Sequence, residues 1–228
     1  MSKVKSMRKL SGNTIRLVIS SFLIYASLAG FAKSARAEHL GKSGASWSSI
    51  LEPSSGALLG QYYGAGTVAQ AAKKLGRTLP IHLTYYAWAT DWTGAVTKAD
   101  LAAGRIPLVN WEPHGIDFSK ILDGSLDATI MARANSSKAI GKKFFLDFAA
   151  EMNGDEAWSG NNAPLYVSAF RHIHDLFVAA EATNVIWVWC PNVTDVDGGN
   201  RHTMDYYPGD TYVDWTGVDG YNWGTKSG

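Results

Sequence analysis

One run of residues has the composition to do chemistry: Phe144-Phe145-Leu146-Asp147-Phe148-Ala149-Ala150-Glu151-Met152-Asn153-Gly154. An apolar, β-prone segment, preceded by Lys142 and Lys143, ends in a carboxylate. Such a run fits a strand buried on both faces. In barrels of alternating strands and helices, reactive groups sit where strands give way to loops. Glu151 is therefore the candidate centre of a site, with Trp158 a little further on. Partial burial at an apolar strand end raises a Glu pKa towards neutrality, which suits a proton donor.

The elements that must hold Glu151 alternate in type. Residues 58–63, 81–88, 106–111, 144–150, 184–189 and 215–221 read as strands. Residues 67–75, 98–103 and 125–140 read as helices, the last capped by Gly141. The clearest helix carries Leu165, Ala169, Phe170, Ile173, Leu176, Phe177 and Ala180 on one face, with Asn162 as N-cap and Pro164 in its first turn. Strand–helix alternation predicts an α/β fold with a parallel sheet. No G-x-G-x-x-G or Walker pattern marks an open nucleotide-binding sheet. Instead the strand ends are aromatic and polar: Tyr62-Tyr63, Tyr85-Tyr86, Trp88, Trp111-Glu112-Pro113-His114, Glu151, Trp189 and Tyr221-Asn222-Trp223. That favours a (β/α)8 TIM barrel over an open sheet, incomplete here, with about six βα units visible.

An aromatic rim with carboxylates suits a carbohydrate, whose apolar C–H faces lie on rings and whose hydroxyls need polar partners. Trp111, His114, Asp219 and Tyr221 join Trp158 as candidate substrate contacts. Cleaving a glycosidic bond needs a proton donor and a second carboxylate. Glu112 and Asp219 are the other carboxylates expected at this rim.

The N-terminus reads as a leader. Lys3, Lys5, Arg8, Lys9 and Arg16 precede a mostly apolar stretch, and Ala35-Arg36-Ala37 is an A-x-A cleavage signal, so residues 1–37 are expected to be a signal peptide and the protein secreted. Residues 38–57 are expected to wrap the core's edge, and residues 58–228 to form the partial barrel domain. Removing the leader takes away seven of 21 basic side chains and no acidic ones, leaving 14 against 20 and a net charge near −6. No basic stripe remains, so no nucleic-acid partner is expected, nor a membrane once the leader is cleaved. The single cysteine, Cys190, lies in an apolar run and reads as a buried, inert thiol.

Other signals are weak. His172 and His174, two apart on a helix, do not share a face and would not chelate one metal. Asp195, Asp197 and Asn200 form only part of a calcium-loop pattern. No serine nucleophile elbow appears. Neither a metal nor a cofactor is expected. Asn135-Ser136-Ser137 and Asn192-Val193-Thr194 are glycosylation sequons in a eukaryotic setting only.

The sequence resembles glycoside hydrolase family 26, from about residue 58 to 223. The matching pieces are Gly60-Gln61-Tyr62-Tyr63-Gly64, Glu151-Met152-Asn153-Gly154, Phe170-Arg171-His172, Val188-Trp189-Cys190-Pro191-Asn192, Tyr207-Pro208-Gly209-Asp210 and Asp219-Gly220-Tyr221-Asn222-Trp223. The resemblance implies a (β/α)8 barrel, a retaining mechanism and a β-linked polysaccharide such as mannan, mixed-linkage glucan or xylan. It implies that Glu151 is the acid/base and that Tyr221 hydrogen-bonds the nucleophile. Asp219 is implied to be the aspartate two positions before that tyrosine, and Trp158 the tryptophan after the acid/base. The family usually has His just before the acid/base and Arg four before it. Here Ala150 and Asp147 stand in those places, pointing to a divergent branch. The family nucleophile lies on a seventh strand, expected beyond Gly228. Two readings compete with a retaining endo-glycosidase: a non-catalytic secreted carbohydrate-binding protein or inactive fragment, and a structural secreted domain.

Overall fold

The computed structural model describes residues 3–8, 16–20, 50–64, 66–154, 158 and 161–221. The strands are β1 (Lys3–Arg8), β2 (Arg16–Ser20), β3 (Gly60–Gln61), β4 (Ile81–Ala87), β5 (Ile106–Glu112), β6 (Phe144–Phe148), β7 (Val185–Trp189) and β8 (Trp215–Tyr221). The helices are α1 (Val68–Leu75), α2 (Ala95–Ala102), α3 (Ser119–Leu122), α4 (Asp127–Ile140) and α5 (Ala163–Ala179).

Local chemistry explains most boundaries. Thr67 and Gln70 form a reciprocal capping box at the start of α1, and Gly76 closes it in the left-handed conformation that glycine adopts without a Cβ clash. Asn162 Oδ1 accepts the Leu165 N–H at 3.0 Å and opens α5. Gly141 ends α4 as expected. Three boundaries differ from the sequence expectation. Strand β3 is only two residues long, α2 starts three residues earlier, and the short α3 precedes α4.

Strands β3 to β8 pair in parallel, in sequence order, each neighbour joined through a helix or loop crossover. Six such strands form an arc of a (β/α)8 barrel, as expected. One face packs on the helices. Val109, Trp111, Leu146, Phe148, Trp187 and Trp189 lie against Ile130 and Ala134 of α4 and Tyr166, Phe170, Ile173 and Phe177 of α5. The alternate positions Leu83, Leu108, Phe145, Val188 and Trp215 form a second buried cluster on the inner face. Leu51 joins that cluster, and Trp215 Nε1 donates to the Ile50 carbonyl at 2.8 Å. Residues 50–51 thus lie against the core, while residues 38–49 of the expected wrapping segment lie outside the described residues.

At the β8 edge, β1 adds antiparallel and β2 pairs with β1. Both strands belong to the stretch whose composition marks a leader. In the whole chain they cover the backbone edge on which a seventh barrel strand would pair.

Candidate active site at the strand ends

Strand β6 ends at Phe148, two residues earlier than its apolar composition implies. Ala149 (φ 52°) and Glu151 (φ 58°) then adopt left-handed backbone conformations. For residues with a Cβ this is uncommon and is held only by surrounding structure. The holding bonds are explicit. The Ala149 N–H donates to the Trp111 carbonyl at 3.0 Å, and the Glu151 N–H to the Cys190 carbonyl at 2.8 Å. The Gly154 N–H returns to the Glu151 carbonyl at 2.7 Å, closing a turn.

Asn153 locks this turn to the loop after β7. Its side chain is fully buried. Oδ1 accepts the Asn192 N–H at 2.9 Å, and Nδ2 donates to Thr203 Oγ1 at 3.1 Å and to the Thr194 carbonyl at 3.3 Å. Gly154 is required by proximity. A Cβ there would lie 2.3 Å from Asn192 Nδ2 and 3.0 Å from the Glu151 carbonyl oxygen. Asn153 and Gly154 are therefore the parts that fix where Glu151 stands. Glu151 itself is half-buried.

Trp158 and His114 come together beside it. The Trp158 indole N–H donates to the Ala150 carbonyl at 2.7 Å. Its ring meets His114 edge-on, with centroids 4.7 Å apart. His114 Nε2 lies 3.4 Å from Glu112 Oε2. This cluster reaches from the end of β5 to the residue before Glu151. Trp158 is largely buried, at 9 % exposure, so its ring serves first as packing under this loop.

Trp111 differs from expectation. It is completely buried, stacks on Trp88 at 4.4 Å and donates its indole N–H to the Trp88 carbonyl. It shares the helix-facing side of β5 with Val109 and has no face to offer a substrate. Full burial of such a ring contributes on the order of 2–3 kcal/mol to folding. Trp88 and Trp189 of the expected aromatic rim are likewise core residues.

Asp219 lies on β8, 1 % exposed, on the same strand face as Trp215. Its N–H donates to the Pro191 carbonyl and its carbonyl accepts the Val193 N–H, both at 2.7 Å. Asp219 is thereby brought alongside Asn192 and, through Asn153, to the Glu151 loop. Tyr221 ends β8, but its side chain lies outside the described residues, as do Asn222 and Trp223. Asp147, standing where the family usually has Arg, is buried on the inner face, opposite Asn110 in the β5–β6 register. On the helix side Tyr166 packs under β6. Burial pushes its phenol well above the usual tyrosine range, and the charge of Asp147 adds to that.

Two more of the quoted motifs meet for a structural reason. Arg171 Nε donates to the Pro208 carbonyl at 2.7 Å, and its guanidinium lies 5.2 Å from the Tyr212 ring centroid. Within the loop, the Tyr207 hydroxyl donates to Asp210 at 2.8 Å. Arg171 therefore anchors the Tyr207-Pro208-Gly209-Asp210 turn to α5. Sequence reasoning gave neither Asn153 nor Arg171 a role, although both sit in recurring motifs. The histidines separate. His172 pairs with Asp127 at 2.7 Å, while His174 packs edge-on against Tyr212. Asp195 accepts the Thr203 N–H and so caps a turn. Among the described residues no cluster of three His, Cys, Asp or Glu is arranged to hold a metal ion, and no helix is long and apolar enough to cross a membrane.

A parallel barrel arc with a carboxylate held at the end of its fourth strand places that group where βα barrels carry their active sites. The family model described as Glycosyl hydrolase family 26 matches residues 82–227, and the chain belongs to that family. It is 37 % identical over 193 residues to Endoglucanase H of Acetivibrio thermocellus, covering 79 % of this chain and 21 % of that protein. It is 34 % identical over 82 residues to mannan endo-1,4-β-mannosidase A and B of Caldalkalibacillus mannanilyticus, covering 32 % of this chain and 15 % of that protein. The chain thus spans about a fifth or less of the length of these relatives. Among solved structures, the Bacillus subtilis mannanase man26 superposes with a TM-score of 0.51 at 21 % identity, over 68 % of this chain and 60 % of that one. A β-mannanase from a symbiotic protist of the termite Reticulitermes speratus, complexed with a gluco-manno-oligosaccharide, gives 0.52 at 16 % identity, over 68 % and 61 %. At these identities the structural likeness establishes the fold alone.

Proposed function

We propose that this chain carries the acid/base residue of a secreted, retaining endo-β-glycosidase acting on a β-linked glucan or mannan. The observation that carries the reading is the lock on Glu151. A family motif ends β6, turns through two left-handed residues and is pinned by the buried Asn153 to the loop after β7. A proton donor needs that fixed placement more than a structural carboxylate does.

In the proposed reaction Glu151 gives its proton to the glycosidic oxygen as the C–O bond breaks. A second carboxylate attacks the anomeric carbon and forms a glycosyl ester. Water, deprotonated by Glu151, then displaces the sugar and restores both groups. The two carboxyls must stand about 5–5.5 Å apart. Glu112, whose carboxylate lies 3.4 Å from His114 Nε2, and Asp219, buried in β8, are poorly suited to be the nucleophile, which we assign to a seventh barrel strand.

For the substrate, the relative matching over most of this chain is named an endoglucanase. Ala150 and Asp147 in place of the family's usual His and Arg support a preference other than mannan, and we propose a β-glucan first. Secretion rests on the basic segment, apolar stretch and Ala35-Arg36-Ala37 of the leader. The test replaces Glu151 by Gln in a version that includes a seventh barrel strand. Hydrolysis of β-glucan should fall far more than hydrolysis of an activated aryl glycoside.

A further inference from the structure

In the loop after β7, residues 196–201 make a tight turn that aims one side chain. Gly198 (φ 62°) and Gly199 (φ 91°) take left-handed conformations that reverse the chain, so that Val196 and Arg201 pair as an antiparallel bridge. Thr203 fixes the turn from beyond, its N–H donating to Asp195 Oδ1 at 2.7 Å. Arg201 Nη1 then donates two hydrogen bonds, to the Gly154 carbonyl at 2.6 Å and to Asn161 Oδ1 at 3.0 Å. Gly154 is the residue whose own N–H closes the turn on the Glu151 carbonyl. Asn161 stands just before α5 in a left-handed conformation (φ 60°), and its carbonyl accepts the Tyr206 hydroxyl at 3.1 Å. One guanidinium nitrogen thus ties together the two ends of the stretch that carries Trp158.

We propose that Arg201 is a positioning residue for Glu151. Asn153 pins the Glu151 turn to the loop after β7, and Arg201 pins the same turn to the start of α5. A turn that contains the left-handed Ala149 and Glu151 relaxes unless several bonds oppose it. A charged donor bonds a carbonyl about twice as strongly as a neutral one, and Arg201 is half-buried, which limits competition from water. Both bonds leave a single nitrogen. What the site requires is therefore a cationic nitrogen with two hydrogens at that place, which lysine can supply and methionine cannot. This rests on the reading of Glu151 as proton donor and deepens it, since a reacting group misplaced by about 1 Å loses roughly 10²-fold in rate.

The experiment is hydrogen exchange followed by NMR on the 228-residue chain. The Gly154 N–H, bonded to the Glu151 carbonyl, reads the turn, and the Trp158 indole N–H, bonded to the Ala150 carbonyl, reads the stretch beside it. In Arg201→Met both should exchange at least about tenfold faster. In Arg201→Lys both should stay within about threefold of the parent. The Trp215 indole N–H, which donates to the Ile50 carbonyl, should keep its parent rate in both variants, whereas loss of a residue that merely stabilises the whole fold would speed all three. Unchanged exchange at Gly154 and Trp158 in Arg201→Met, or equal acceleration at Trp215, overturns the positioning role. So does a lysine variant that exchanges as fast as the methionine one. None of these protons depends on turnover, so each of these results leaves the proton-donor reading to Glu151→Gln; equal losses there on β-glucan and on the activated aryl glycoside strike that reading alone.

Discussion

Replacing Asn153 by Ala should loosen the turn that holds Glu151, and the structure sets the size of the effect. The substitution removes four hydrogen bonds: from the Asn192 N–H at 2.9 Å and the Asn192 Nδ2 at 3.4 Å, to Thr203 Oγ1 at 3.1 Å and to the Thr194 carbonyl at 3.3 Å. Thr203 can turn its hydroxyl to another partner, but the Asn192 N–H cannot move away. Stranding that donor costs about 1–3 kcal/mol, and the two lost acceptor contacts add roughly 1 kcal/mol between them. The total is about 3 kcal/mol, large for a single polar side chain. For a chain of this size each kcal/mol shifts Tm by about 2–4 °C, so Asn153→Ala should melt about 6–12 °C below the parent. Thermal unfolding followed by near-ultraviolet circular dichroism, where the tryptophans report, measures this. Thr203→Val, which removes the bond from Asn153 and a side-chain bond to Asp195, should shift Tm by about 2–4 °C. If Asn153→Ala melts within about 2 °C of the parent, Asn153 does not lock the loop and the account of the motif fails.

Two further outcomes follow from other parts of the molecule. Asp100 is buried, which pushes its carboxyl pKa up, but hydrogen bonds from His82 and Arg105, each 2.7 Å, hold it below the usual value. A depressed folded-state pKa gives stability present above the unfolded value, about 3.9, and lost as pH falls through the folded value. Urea midpoints should therefore drop more steeply below about pH 4 in the parent than in Asp100→Asn; equal slopes would refute this role. At the N-terminus, export should remove residues 1–37 and leave Glu38 first, which intact mass of secreted material reads directly. Cleavage would also strip β1 and β2 from the β8 edge, so residues 38–228 alone should aggregate more readily than the whole chain, as light scattering would show. A retained leader contradicts the export reading.

How much of this was legible in sequence depended on how local the cause is. The cap of α1 needs only Thr67 and Gln70, and α5 only its own periodicity and Asn162. The end of β6 is not local. Ala149 turns left-handed because its N–H reaches Trp111 and that of Glu151 reaches Cys190, partners about forty residues away in sequence. The apolar composition of residues 144–150 carries no sign of that. Trp111 was misplaced because a parallel strand buried on both faces has no polar alternation to tell rim from core. The parity was nonetheless available: Asn110 and Glu112 occupy one face of β5, and Val109 and Trp111 the other. Asn153 was visible as part of a motif, but its role rests on contacts 39 to 50 residues distant, which no local pattern encodes.

The central claim is that Glu151 donates a proton to the leaving group. The most direct measurement joins residues 38–228 to the seventh and eighth barrel strands of a family 26 relative and compares this protein with its Glu151→Gln form on two substrates. Mixed-linkage glucan has a poor leaving group and needs protonation; an aryl β-glucoside with an acidic phenol does not. Loss of about 10²–10⁴-fold on the glucan with a far smaller loss on the aryl glucoside is the predicted result. Equal losses on both would contradict it and leave Glu151 a binding or structural residue.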